Sequence, residues 1–120
     1  MQTAVMIAQI VIALGIVNVW LLRFGKATSY RGGTATTMRE EFAAYGLPPW
    51  AVYVIGGLKL ILAALLIVGI WVPQLTQPAA IGMAVLMAGA IAMHVKVKDA
   101  PLKSLPALCM LALSLFVALA

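Results

Sequence analysis

Acidic side chains are scarce in this chain: among 120 residues there are three, Glu40, Glu41 and Asp99. None falls in a long apolar run, and a proton-coupled exporter of cationic drugs needs a carboxylate within the membrane, so the sequence argues against that class. Passage of an anion is left open. Cysteine is scarcer still. Cys109 is the one copy, which excludes an internal disulfide and a CxxC redox pair, and nothing around it marks it as a nucleophile. The one histidine, His94, has no cysteine, histidine or carboxylate beside it on the same helix, which argues against a metal site. Charged residues make up 9% of the chain against 65% hydrophobic ones, a balance that excludes a water-soluble domain.

What is present is apolar sequence in long blocks. Crossing the hydrocarbon takes about 17–25 mostly apolar residues, and four stretches qualify, at about 3–22, 50–72, 79–95 and 104–120. The first has no basic residue ahead of it and exceeds the roughly 7–15 apolar residues of a signal core, so it reads as a retained helix. Unbroken runs of this length suit helices and not the ~10-residue alternating strands of a membrane barrel. The expected fold is therefore all-α, an integral-membrane four-helix bundle.

The net charge of +5 reads as topology, with no nucleic-acid partner. Arg23, Lys26, Arg31 and Arg39 follow the first block and Lys96, Lys98 and Lys103 follow the third, whereas "PQLTQP" at 73–78 is uncharged. An even helix count puts both basic connections on one face, which the positive-inside rule makes cytoplasmic, with the N and C termini on the outer side. The 73–78 link between Pro73 and Pro78 predicts an antiparallel hairpin. "KVKDAPLK" predicts another, with Pro101 ending one element and Ser104 capping the next.

The connection from about Phe24 to Pro49 is long enough for structure of its own. Within it "TMREEFAAYGLPP" pairs Thr37 with Glu40 as a capping box. Met38, Phe42 and Tyr45 recur at helical spacing, and Gly46 with the Pro48–Pro49 pair stops the run. A short amphipathic helix over about 38–45 is expected, lying on the cytoplasmic membrane surface or tucked under the bundle. Small residues at Gly56, Gly57, Ala63, Ala64 and Gly69, and at Ala80, Ala84 and Ala88, mark places where helices can approach closely.

Lys59, in "IGGLKLIL", is the costly residue, because a lysine at mid-bilayer carries about 2.5–3.5 kcal/mol on the insertion scale. From Trp50 to Lys59 the helix rises about 13.5 Å, more than the side chain recovers by snorkelling. Its ammonium then needs water, a lipid phosphate or a polar partner. Asn18 and His94 fall at the same end of their helices, and Glu40 or Glu41 could fold in to meet Lys59 or Arg23. Gln9 and Ser114 sit toward the other end. The expected site comprises Lys59, His94, Asn18, Glu40, Glu41 and Arg23, either a ligand site or a hydrogen-bond cluster that fixes helix register.

Phe42 with Gly46-Leu47-Pro48, Gly56 through Lys59, Gly89-Ala90 and His94, and Pro106 resemble the DoxX-like family of small four-helix membrane proteins. That resemblance implies a compact bundle in the bacterial cytoplasmic (inner) membrane. It also implies a link to membrane oxidoreductase systems, such as thiosulfate:quinone oxidoreductase subunits, with redox-enzyme partner subunits. It supplies no catalytic residue set, and a chain without a dithiol is expected to carry no enzyme activity alone. The expectation is thus an accessory subunit holding a lipophilic ligand, a bound quinone-like or anionic lipid-like molecule, with no intrinsic cofactor. The alternative is a scaffold or assembly factor without a ligand. The narrow bundle leaves much lipid-facing surface, which admits a homo-oligomer.

Overall fold

The computed structural model describes residues 2–22, 24–25, 35 and 37–120. Helix α1, Gln2–Val17, runs on into a π-helical turn, Asn18–Leu22. Short α2 spans Met38–Ala44, α3 Pro49–Val68, α4 Thr76–Lys96 and α5 Leu105–Leu119. Four stretches, Gln2–Leu22, Pro49–Val68, Pro73–Lys96 and Pro101–Leu119, are long and apolar enough to cross a membrane. They form a ring in which α1 packs on α3, α3 on α4, α4 on α5 and α5 back on α1. The short connections make α3 and α4, and α4 and α5, antiparallel, and α1 runs antiparallel to α3, with Gln9 at Leu66 and Trp20 at Gly56.

Only 33% of each of the first three spans and 22% of the last is buried. The rest, including Leu14, Ile61, Val85 and Leu119, is apolar surface that suits the hydrocarbon of a bilayer. The protein is therefore a multi-pass membrane protein. Its longest dimension, 40 Å, matches a bilayer with part of its headgroup layers, about 40–45 Å. The core is built from Ile12, Val52, Leu66 and Met83, all essentially without exposed surface. Ala63, Ala80 and Ala84 are buried beside them, so the helices close up through small residues. Ala64 and Ala88 face outward. A four-residue step on an α-helix turns about 40° past a full circle, and three such positions do not stay on one face.

The connections differ from expectation in position. Helix α3 ends at Val68, and the reversal lies at 69–72, closed by Gly69 N–H to Leu65 O at 2.8 Å and Val72 N–H to Val68 O at 2.9 Å. The "PQLTQP" stretch is already helical: Pro73–Leu75 is a 3-10 turn and Thr76 begins α4. Both prolines fall where the missing N–H would have had no helical partner, so they start helices here and do not interrupt one. Pro101 likewise opens a 3-10 turn, Pro101–Ser104, leading into α5. Ser104 already has helical angles and makes no cap hydrogen bond, because the 3-10 turn ahead of it occupies the place a cap would take. The reversal after α4 runs through Lys98, whose φ is +58°.

Helix α2 starts as its sequence implies: Thr37 is extended and its hydroxyl accepts from Glu40 N–H at 3.2 Å. It stops at Gly46, φ +79°, a conformation that costs a side-chain-bearing residue about 1 kcal/mol or more. Met38 N–H donates to Phe24 O at 2.9 Å, tying its start to the end of α1. Met38, Glu41, Phe42 and Tyr45 are all buried, so α2 is tucked against α3.

Candidate functional site

At the end of the bundle that carries the basic connections, the π turn of α1 turns Trp20 inward until it is 5% exposed. Its indole lies on Gly56, where an added Cβ would overlap the ring. The missing side chain at Gly56 thus makes room for Trp20 between α1 and α3. One turn further along α3, the Lys59 ammonium sits over the same ring, 5.3 Å from its centroid. Phe42 meets Trp20 edge-on at 5.8 Å and Phe24 packs at 6.2 Å. Lys59 is 8% exposed, and its ammonium has no hydrogen-bond acceptor among the described residues. Gly57, by contrast, faces open space.

A chain of polar side chains continues from Glu41 across three elements. The Tyr45 hydroxyl donates to Glu41 Oε1 at 2.7 Å and lies 3.5 Å from His94 Nε2, with the two rings edge-to-face at 5.8 Å. On the far side of the imidazole, His94 Nδ1 is 2.8 Å from Asp99 Oδ2. Asp99 Oδ1 in turn lies 3.7 Å from the Lys103 ammonium. A carboxylate can only accept, so at neutral pH the Nδ1 position carries the proton. Lys96 pins the arrangement from behind, its ammonium donating to Tyr45 O at 2.8 Å, where a cation also suits the end of α2.

The structure brings together three of the residues that the sequence singles out, Lys59, Glu41 and His94, all of them buried. Glu40 and Asn18 are exposed, Glu40 on the outer face of α2 and Asn18 on the π turn. Arg23 lies outside the described residues. Sequence reasoning missed Trp20, the hydroxyl of Tyr45 and Asp99. The signals available were faint: a glycine one helical turn before Lys59 that invites a large ring, and a carboxylate five residues after the histidine.

The opposite end is held by amides. Gln9 donates to Leu66 O at 2.8 Å and reaches Thr76 Oγ1 at 3.4 Å. Thr76 donates to Gly69 O at 3.1 Å and Gln77 to Ala118 O at 3.0 Å. An open recess of about 470 Å³ lies among Gln9, Thr76, Gln77 and Val117. A second, of about 280 Å³, lies between α2 and α3 against Phe42, Leu47, Val52 and Tyr53, with Arg39 bonded to the Tyr53 hydroxyl at its rim.

No curated protein and no solved structure matches this chain. The profile of the DoxX-like family matches residues 7–117, which takes in every transmembrane helix together with Trp20, α2, Lys59, His94 and Asp99. The chain belongs to the DoxX-like family.

Proposed function

We propose that this protein is an accessory membrane subunit of an oxidoreductase system that holds the polar head of a lipophilic molecule at the basic end of its bundle. The molecule is quinone-like or anionic and lipid-like, and Lys59 is the hydrogen-bond donor to its carbonyl or anionic oxygen. In this reading the basic connections face the cytoplasm of a bacterial cell and both termini face outward, following the charge distribution. The oxidoreductase setting rests on the resemblance described above. The ligand reading rests on one observation, the buried Lys59 ammonium with no acceptor among the described residues. Placing a lysine in a span costs about 2.5–3.5 kcal/mol, and a contact with an aromatic face returns about 0.5–2 kcal/mol. The deficit favours an incoming oxygen.

A second reading, a scaffold or assembly factor, is favoured by the way the Glu41–Tyr45–His94–Asp99 chain ties the α2 segment to α4. Purification from native membrane followed by mass spectrometry separates the two. A quinone or lipid that co-purifies with the wild type and is lost from a folded Lys59→Ala variant supports the ligand reading. An empty wild-type bundle, or a bound molecule that Lys59→Ala retains, leaves the scaffold.

A further inference from the structure

The hydrogen-bond chain beneath Lys59 has a property that a register lock does not need. Tyr45 has one hydroxyl proton and, among the described residues, two neighbours able to accept it, Glu41 Oε1 at 2.7 Å and His94 Nε2 at 3.5 Å. With Nδ1–H committed to Asp99, a neutral imidazole leaves Nε2 as a bare lone pair facing a hydroxyl that points elsewhere. Adding one proton at Nε2 orders the whole chain: the imidazolium donates to Asp99 through Nδ1 and to Tyr45 through Nε2, and Tyr45 donates to Glu41. Every donor then has an acceptor, and the bonds run in one direction, which strengthens each of them.

We propose that Asp99, His94, Tyr45 and Glu41 form a proton relay that stores one proton on the His94–Asp99 pair and passes it through Tyr45 to Glu41. In the transfer the Nε2–H bond of His94 breaks as a new O–H bond forms on Tyr45. The original Tyr45 O–H breaks as one forms on Glu41 Oε1. Imidazolium and carboxylate become imidazole and carboxylic acid, so charge and protons balance. The delivered proton arrives at the buried carboxyl of Glu41, next in sequence to the Phe42 that packs on the Trp20 ring under Lys59. Delivery to the molecule held there rests on the ligand reading above, whereas the relay itself does not. It makes the preferred ligand one whose head gains or loses a proton in its chemistry.

Among the described residues, the charged groups around the relay are Glu41 from α2, Lys59 from α3, Lys96 from α4, and Asp99 and Lys103 from the α4–α5 connection. Both carboxylates flank the imidazole, one directly and one through Tyr45, while Lys103 stands at the Asp99 end, where its side chain is 27% exposed. Burial of the four relay groups keeps water from short-circuiting the path: His94, Tyr45 and Glu41 are at most 9% exposed and the Asp99 side chain is 5% exposed.

Because His94 is the sole histidine, ¹⁵N-histidine labelling reports on it alone. The test uses the full chain in lipid nanodiscs, without added ligand, at one fixed pH near the midpoint of the imidazole signal. The protonated fraction at Nε2 is read in four proteins: wild type, Glu41→Gln, Tyr45→Phe and the double variant. Neighbours in one network couple, whereas separate groups add. With Tyr45 present, Glu41→Gln is expected to change the imidazolium-to-imidazole ratio roughly threefold to tenfold, and with Tyr45→Phe less than about twofold. Equal effects in both backgrounds would reduce the link to a through-space field and overturn the relay, as would no effect in either. Tyr45→Phe keeps the ring that packs on His94 and Phe42. Matching spectra of a second, uniformly ¹⁵N-labelled sample of each variant confirm that it is folded. A positive cycle in a protein that co-purifies with no ligand would keep the relay and discard the ligand reading.

Discussion

Gly56→Ala and Gly57→Ala are the same chemical change at adjacent positions of α3, and the fold gives them opposite signs. A Cβ at Gly56 would overlap the Trp20 ring. The ring has no free direction in which to retreat, with Phe42 edge-on at 5.8 Å, Phe24 at 6.2 Å and Lys59 over its face. Overpacking of this kind costs about 1–3 kcal/mol, and displacing the indole gives up the Lys59 contact, worth about 0.5–2 kcal/mol. Alanine recovers about 1 kcal/mol of helix propensity. Gly56→Ala is therefore expected to destabilise by about 0.5–4 kcal/mol. At Gly57 the new methyl meets nothing within 4 Å, so only the propensity gain of up to about 1 kcal/mol remains. The assay is unfolding from mild micelles by added SDS, followed by tryptophan emission. Trp20 is buried, whereas Trp50 and Trp71 are 65% and 75% exposed, so the component that shifts on unfolding reports on this contact. Equal midpoints for the two variants, or a Gly56→Ala protein at least as stable as the parent, would refute the claim that α1 and α3 meet through this glycine.

Gln9→Leu removes the bonds to Leu66 O and Thr76 Oγ1 and is expected to cost about 0.6–1.7 kcal/mol, the range for interhelical hydrogen bonds in membranes; an unchanged SDS midpoint would reject it. Ser114→Ala should stabilise by about 1 kcal/mol, because the Ser114 hydroxyl is fully buried with no partner among the described residues and an unmade bond is dearer than none. A loss of stability there would reveal a partner that the structure does not show. Lys96→Met withdraws the donor from Tyr45 O, so hydrogen exchange at residues 38–46 should quicken while α3 and α5 are unchanged. Unaltered protection would show that α2 is held by its apolar face alone.

The parts of the fold legible in the sequence are those that depend on composition along a line. A membrane tests each segment by its own length and hydropathy, so four spans, their hairpin pairing and the clustering of basic residues at one end follow from counting. Capping is equally local: Thr37 to Glu40 and the stop at Gly46 involve neighbours that any conformation keeps close. The hairpin boundaries were less legible, because a proline reads both as the end of one helix and as the first turn of the next. Pro73 and Pro101 take the second role.

Azimuth and distance were decided only in the folded bundle. Glu41 and Glu40 look alike in sequence, yet Glu41 shares the face of Phe42 and Tyr45 and is buried, while Glu40 is exposed. Asn18, on the π turn, is exposed, whereas Lys59 is buried. Tyr45 and His94 stand forty-nine positions apart and meet where the end of α2 reaches the last turn of α4, with Lys96 donating to Tyr45 O. Hydropathy measures how much of a residue the membrane tolerates, and it carries no term for which helix stands opposite. The sequence by itself therefore determined that a charge would lie within the bundle at Lys59. That it would lie over the ring of Trp20 was settled by how the helices close on one another.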